Sequence, residues 1–384
     1  MLNILTLTLI LSLSLTMTFF GKSIVGIGMG LCVVFSITIL FQNRRELVGF
    51  KTMLCARETI AILVMFGVWL ASASQGIKPD KSVAEVFEYI GIIFGGYIIF
   101  SGIQKTDFNF EKLFQYCMIG ATVCATWLLL TPLIGDAAME WGSSYGSVLT
   151  FFIPMAFYLA IKKPIWWIAV LILSSAIFAS GGRTAWVALV GLMVIMPFMM
   201  PIKRRVLNFI IVIAVVVVGA FAGLQSYKNN IGTEIFEIRT EAMTNMDRPA
   251  SGRLTVWNNT IDLIMDRPLL GYGIKSTQNL AISKGEDALV IHVHNVVLEM
   301  MLETGVLGFL AFAVTTLIFI GGFLRAYFRS DDRALKQISM TVFMACIAYG
   351  VCSMALTSMF HAWWFLYLVA LVILLKTAEL RLRQ

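Results

Sequence analysis

The sequence predicts an all-α integral membrane protein of about twelve transmembrane helices, and three observations lead there. The 384 residues are 59% hydrophobic and 13% charged, about half the charged fraction of a soluble domain, which is ~25%. The mean hydropathy is +0.86. Lys and Arg gather in alternate gaps between apolar runs, the bias that cytoplasmic loops carry. The net charge of +7 is therefore a topology signal, and nucleic acid is not an expected partner.

A span needs ~20 apolar residues. That ruler gives stretches near 2–20, 23–41, 58–74, 84–103, 113–134, 145–161, 164–180, 184–200, 206–224, 296–324, 337–357 and 362–378. The first, Met1 to Phe20, has no Lys or Arg before it and no small-x-small site after it, so it is expected to be a retained span. One set of gaps holds Arg44 to Arg57, Lys105 and Lys112, Lys162 and Lys163, Lys203 to Arg205, Arg325 to Lys336, and Lys376 to Arg383. The short gaps of the other set hold only Lys22, Lys78, Lys81 and Arg183. The positive-inside rule then puts both termini in the cytoplasm and the long polar segment outside.

The chain thus divides into 1–224 with spans one to nine, a long outer loop at 225–294, and 295–384 with spans ten to twelve and a cytoplasmic tail. Within the loop, Glu234 to Glu241 reads as a polar helix that Pro249 would end. From Arg253, the spacing of Leu254, Trp257, Ile261 and Ile264 predicts an amphipathic helix lying along the membrane or packing on the bundle. It stops at Asp266-Arg267-Pro268, a turn follows at Leu269 to Gly273, and Val290 to Val293 makes an extended approach to His294. The six cysteines lie outside this segment, so neither a disulfide framework nor a zinc knuckle is expected.

An enzyme outside the cytoplasm has no nucleotide supply and must use an already activated substrate. A lipid-linked diphosphate arriving through the bilayer meets that need, and Arg is its natural partner because the planar fork pairs two phosphate oxygens and keeps its charge. Arg183, after Gly181-Gly182 at an outer span end, is one candidate; a snorkelling interfacial Arg is the alternative. Arg253 opposes the dipole at its helix start, which a bound anion would offset; a solvated loop Arg is the alternative. His294 could take a proton from an acceptor hydroxyl, with His292 sharing its face only in an extended segment. The His-x-His pair lacks a spaced third ligand, so no metal or other cofactor is expected. Glu299 and Glu303 read as groups that cap or orient the helix, and His361, beside Trp363 and Trp364, as an interface anchor. Gly271 to Ser276 looks phosphate-loop-like without the strand or full spacing.

These residues resemble the bacterial O-antigen ligase and polymerase superfamily. The resemblance rests on Gly182-Arg183-Thr184, Gly252-Arg253-Leu254, Arg267-Pro268-Leu269-x-Gly271-x-Gly273, and His294-Asn295 followed after nine residues by Gly305-x-x-Gly308. It implies a twelve-span bundle of the lipid-sugar glycosyltransferase (GT-C-like) type in the bacterial inner membrane, with one long periplasmic loop. It also implies metal-independent, inverting transfer of a polysaccharide from undecaprenyl diphosphate to a sugar hydroxyl of lipid A-core. Arg183 and Arg253 would bind the departing diphosphate, His294 would position or deprotonate the acceptor, and His292 and Asn295 would line the substrate. Membrane lipids and these two glycolipids are the implied partners.

Two other readings stay open. Polymerases of the superfamily commonly show two large loops in which Arg is followed eleven positions on by Gly. Here there is one large loop, and eleven on from Arg239, Arg248, Arg253 and Arg267 stand Ala250, Asn259, Ile264 and Gln278. A lipid-linked glycan transporter would place ionisable residues or broken helices near mid-bilayer, whereas Glu58, Glu85, Glu88 and Arg183 fall near span ends.

Overall fold

The structure is a computed structural model that describes residues 22–42, 57–104, 107–130, 142–199, 205–231, 253–277, 279–280, 293–354 and 362–384. The described residues are helical, with no strand among them. In chain order the helices are α1 (Lys22–Gln42), α2 (Arg57–Ser74), α3 (Pro79–Gln104), α4 (Phe110–Leu130), α5 (Gly142–Thr150), α6 (Ile153–Lys162) and α7 (Trp167–Ala179). They continue as α8 (Arg183–Met199), α9 (Arg205–Ile231), α10 (Arg253–Asp266), α11 (Val296–Arg329), α12 (Arg333–Ser353) and α13 (Ala362–Arg383). Among the described residues seven helices are long and apolar enough to span a bilayer, one of them Tyr145–Lys162, which α5 and α6 make together, and the apolar stretches Ile27–Thr38, Pro164–Ala179 and Arg183–Met199 are shorter. The expected span at 2–20 and the polar helix at 234–241 lie outside the described residues.

Local chemistry explains where helices depart from unbroken apolar runs. The stretch expected as one span at 145–161 is interrupted at Phe151 and Phe152, and Pro154 opens α6. Proline has no N–H and is best tolerated in a helix's first turn, and the chain restarts there. α3 begins at Pro79, earlier than its hydropathy suggests, for the same reason. Asn295 caps α11 by accepting from Val297 N at 3.0 Å and Leu298 N at 3.3 Å, and Asp332 caps α12 in the same way.

The helices sort their polar ends into two groups. Tyr327 Oη donates to Met199 O at 3.3 Å, so the C-terminal ends of α8 and α11 meet. Their N-terminal ends, carrying Arg183 and His294, therefore lie at the same opposite end of the bundle. At the Tyr327 end gather Arg57, Arg325, Arg329 and Arg383, and Arg381 Nη1 donates to Phe108 O at 2.9 Å. This sorting is the one that the alternating Lys and Arg pattern demands.

The core between the ends is aromatic. Phe151, Tyr349, Trp364 and Tyr367 form one stack, with Trp364 Nε1 donating to Ser353 Oγ at 3.1 Å. Trp364 is 1% exposed, so it is a core residue and not the interfacial belt its sequence position beside His361 suggests; His361 itself lies outside the described residues. A cavity of about 940 Å³ runs among α2, α3, α11, α12 and α13, lined mainly by apolar side chains such as Ile62, Met65, Phe100, Phe312 and Phe319. It reaches from Val296, the first residue of α11, to Glu58, Lys376 and Arg383 at the other end.

Candidate functional site

Three interlocked glycines build the His294 end. α11 is kinked at Gly305, which adopts φ 69° and ψ 179°, a region open essentially to glycine alone. Across that kink lies the turn 267–273, in which Gly271 has φ 66° and Gly273 φ 93°. A Cβ on Gly305 would stand 2.1 Å from Leu269 O, one on Gly271 2.5 Å from Leu302 O, and one on Gly273 2.8 Å from Gly76 Cα. The close approach lets backbone satisfy backbone. Tyr272 N donates to Leu302 O at 3.0 Å, Gly273 N to Glu303 O at 2.9 Å, Val306 N to Pro268 O at 2.8 Å and Ile77 N to Tyr272 O at 2.9 Å. The paired motifs Arg267-Pro268-Leu269-x-Gly-x-Gly and Gly305-x-x-Gly308 are thus two halves of one joint, fastened also to the α2–α3 turn.

Glu303 locks this joint. Only 1% exposed, its carboxylate accepts from Lys275 N at 2.7 Å, Thr277 Oγ1 at 2.7 Å and Thr277 N at 3.3 Å. The loop that looks phosphate-loop-like in sequence does cradle an oxygen pair through its backbone, but the pair belongs to the Glu303 carboxyl of the same chain. Lys275 Nζ pairs with Glu85. Glu303 therefore fastens a neighbouring loop; it does not cap its own helix. Ser72 Oγ adds a bond to Glu303 O at 2.9 Å, and Arg267 lies over the Tyr272 ring at 4.9 Å. Burial first, and then the Asp266 carboxylate, raise the Tyr272 phenol above its ordinary value, so it is a neutral ring beneath that guanidinium.

His294 sits on this frame in the left-handed region, at φ 53°, and is half-buried. Asparagine and histidine tolerate that region better than most residues, yet it stays uncommon and tends to persist where its surroundings impose it. They do so on both sides. Trp257 Nε1 donates to Val293 O at 3.0 Å, and Asn295 begins α11 with its carboxamide oxygen engaged at the cap.

α10 packs on α11 through a small separate core of Leu263, Ile264, Tyr272, Leu280, Val293 and Leu302, with Trp257 against it. Thr260, Leu263 and Ile264 face inward, whereas Ile261 is 45% and Met265 71% exposed. The amphipathic helix is therefore rotated from the expected face: Ile261 points away from the bundle, and one side packs while the other offers apolar surface. Arg253 is the first residue of α10, one turn before Trp257.

Arg183 opens α8, exposed, after Gly181 at φ 70°. Its turn is set by close packing: Gly146 of α5 approaches Ser180 so nearly that a Cβ there would lie 2.0 Å from Ser180 Oγ. Gly223 of α9 leaves a Cβ only 2.3 Å from Ser175 O of α7, the small-residue contact that lets membrane helices approach. Arg183 therefore shares an end with His294 but stands on α5, α7 and α9, not on the glycine joint. His292 lies outside the described residues. Trp257 and Glu303 are the residues that sequence reasoning undervalued. A carboxylate inside an apolar stretch is the signal that marks Glu303; nothing local marks the Trp257 bond.

Residues 168–313 match the family described as O-antigen ligase. A protein of Rickettsia conorii provisionally designated a polysaccharide ligase is 26% identical over 136 residues, 33% of this chain and 31% of its own length. Similarly designated proteins of Rickettsia typhi, 26% identical over 136 residues, and Rickettsia prowazekii, 26% over 138, each cover 33% of this chain and 32% of their own length. The chain thus matches about a third of the length of these curated relatives. Arg183, Arg253, His294, Asn295 and both halves of the glycine joint all fall inside the residues that match this family.

Proposed function

We propose that this protein transfers a polysaccharide from undecaprenyl diphosphate to a sugar hydroxyl of lipid A-core, at the periplasmic face of the bacterial inner membrane. The observation that carries the reading is His294, held in a left-handed conformation between the Trp257 bond and the Asn295 cap, at the end of the bundle that also bears Arg183. In the reaction the acceptor oxygen bonds to the anomeric carbon from the face opposite the diphosphate, the carbon–oxygen bond to the diphosphate breaks, and the configuration inverts. His294 orients the acceptor hydroxyl and takes its proton as the new bond forms. Arg183 and Arg253 hold the diphosphate and neutralise the charge it gains on leaving, and His292 and Asn295 line the sugars. Removing one such electrostatic partner typically costs ~3 kcal/mol of barrier.

The family supports the polysaccharide chemistry, and the apolar cavity supports the lipid. Val296, which lines it, lies two residues from His294, so an isoprenoid chain in the cavity would bring its diphosphate to the His294 end. The proposal includes a twelve-span GT-C-like bundle with both termini in the cytoplasm and 225–294 as the periplasmic loop.

Purified protein with a lipid-linked polysaccharide and lipid A-core is the direct test. Transfer should proceed in the presence of a strong chelator and fall at least a hundredfold in His294→Ala, Arg253→Ala and Arg183→Ala. Full activity of His294→Ala would remove the mechanism. In a deletion strain, lipid-linked polymer should accumulate with no capped lipid A-core; capping by single repeats would instead identify a polymerase.

A further inference from the structure

At the end of the bundle opposite His294, a pocket of about 400 Å³ is lined by Arg57, Arg325, Ala326, Arg329, Leu382 and Arg383. Four guanidiniums from three helices thus meet around one space, and among the described residues only Arg383 has an ion-paired carboxylate, Glu379. That carboxylate is already shared with Lys376 at 2.9 Å, which also pairs with Glu58 at 2.7 Å. The two acids are thus already paired with Lys376 and Arg383. Among the described residues, Arg57, Arg325 and Arg329 have no ion pair.

Helix electrostatics accounts for only part of this arrangement. Arg325 and Arg329 end α11 and Arg383 ends α13, where cations suit the negative end of the dipole. Arg57 fits less well: it is the first residue of α2, where the dipole is positive, and Glu58 in the same turn is the one acid there, already paired with Lys376. A diffuse excess of positive charge satisfies the topology rule without drawing guanidiniums together at a helix N-terminus. The rim is also apolar: Leu382 and Ala326 line the pocket, and Phe328, between Arg325 and Arg329, is 74% exposed.

We propose that this pocket binds the headgroup phosphate of an anionic glycerophospholipid from the leaflet at that end. Arg325 and Arg329 grip the phosphate oxygens, the α2 N-terminus faces them, and the acyl chains lie against Phe328 and the outer surface of α11. Basic pockets between membrane helices are suited to such headgroups. The site is separate from the transfer site and independent of the glycan chemistry.

The test is native mass spectrometry of the full-length protein in detergent, titrated with phosphatidylglycerol or phosphatidylcholine. Phosphatidylglycerol should be retained at least tenfold more strongly, and Arg325→Gln with Arg329→Gln should erase about tenfold of that preference. Lys112→Gln with Lys163→Gln removes the same charge from exposed positions outside the pocket and should leave the preference intact. The thermal midpoint of both double variants should match the parent, since all four side chains are exposed. Equal retention of the two lipids, or equal loss in both double variants, would overturn a defined site. Displacement of phosphatidylglycerol by millimolar inorganic phosphate would overturn the lipid as its occupant.

Discussion

Replacing Gly305 by alanine tests the joint at the His294 end most directly. The new Cβ would lie 2.1 Å from Leu269 O, 2.3 Å from Leu269 C and 2.5 Å from Leu270 N. All three are backbone atoms, so no rotamer change relieves the overlap and the turn 267–273 must lift away. Alanine at φ 69° and ψ 179° costs ~2 kcal/mol in backbone strain. Lifting the turn forfeits the bonds from Val306 N to Pro268 O and from Tyr272 N to Leu302 O, at ~1 kcal/mol each. The sum is a destabilisation of about 4 kcal/mol. Thermal unfolding in detergent, followed by fluorescence-detected size exclusion, should show a midpoint lower by several degrees and transfer reduced with it. Gly321→Ala is the control in the same helix, because nothing lies within 4 Å of its Cβ position; it should be neutral or stabilising by up to ~1 kcal/mol. A Gly305→Ala protein that melts with the parent would refute the interlocked-glycine account.

Other expectations concern the residues around His294. His294→Gly and His294→Ala both remove the imidazole and should both abolish transfer, but the glycine variant should be about 1 kcal/mol more stable because the left-handed backbone no longer penalises it; equal melting points would mean that φ 53° is not imposed. Asn295→Ala should cost about 1 kcal/mol of stability through the lost cap, whereas Asn295→Asp should keep the cap and melt near the parent. Impaired transfer in the aspartate variant is expected if the carboxamide touches the sugar, and full activity would confine Asn295 to capping. Trp257→Phe deletes the donor to Val293 O at about 1 kcal/mol; a folded protein with slower transfer is expected, and unchanged kinetics would show that the bond does not position His294.

Much of the fold is legible in the sequence because the bilayer imposes a length and a polarity on each element. The expected spans at 58–74, 184–200 and 337–357 fall within a few residues of α2, α8 and α12. The interruption at Phe151 and Phe152 was invisible to hydropathy, since both residues are apolar; only Pro154 hints at it. The amphipathic helix was placed well in sequence by its Arg253 start and Asp266 end, but its inward face depended on α11 and could not be fixed by periodicity alone. The glycines of the two motifs carried a recognisable spacing, and their meaning came from contacts more than thirty residues apart along the chain, as between Leu269 and Gly305.

What the sequence determined by itself is the membrane-spanning helical class, the alternation of Lys- and Arg-rich gaps, and the motif residues in the stretch that matches the O-antigen ligase family. Those follow from local composition and spacing, which the bilayer and the backbone read directly. What only the tertiary structure decided is which of those residues hold the fold together and how deeply each is buried. Gly271, Gly273, Gly305 and Glu303 are consumed in holding backbone to backbone, while Arg183 stays exposed and His294 half-buried. Close approach and burial are properties of pairs of segments distant in the chain, and no local pattern encodes the distance between them.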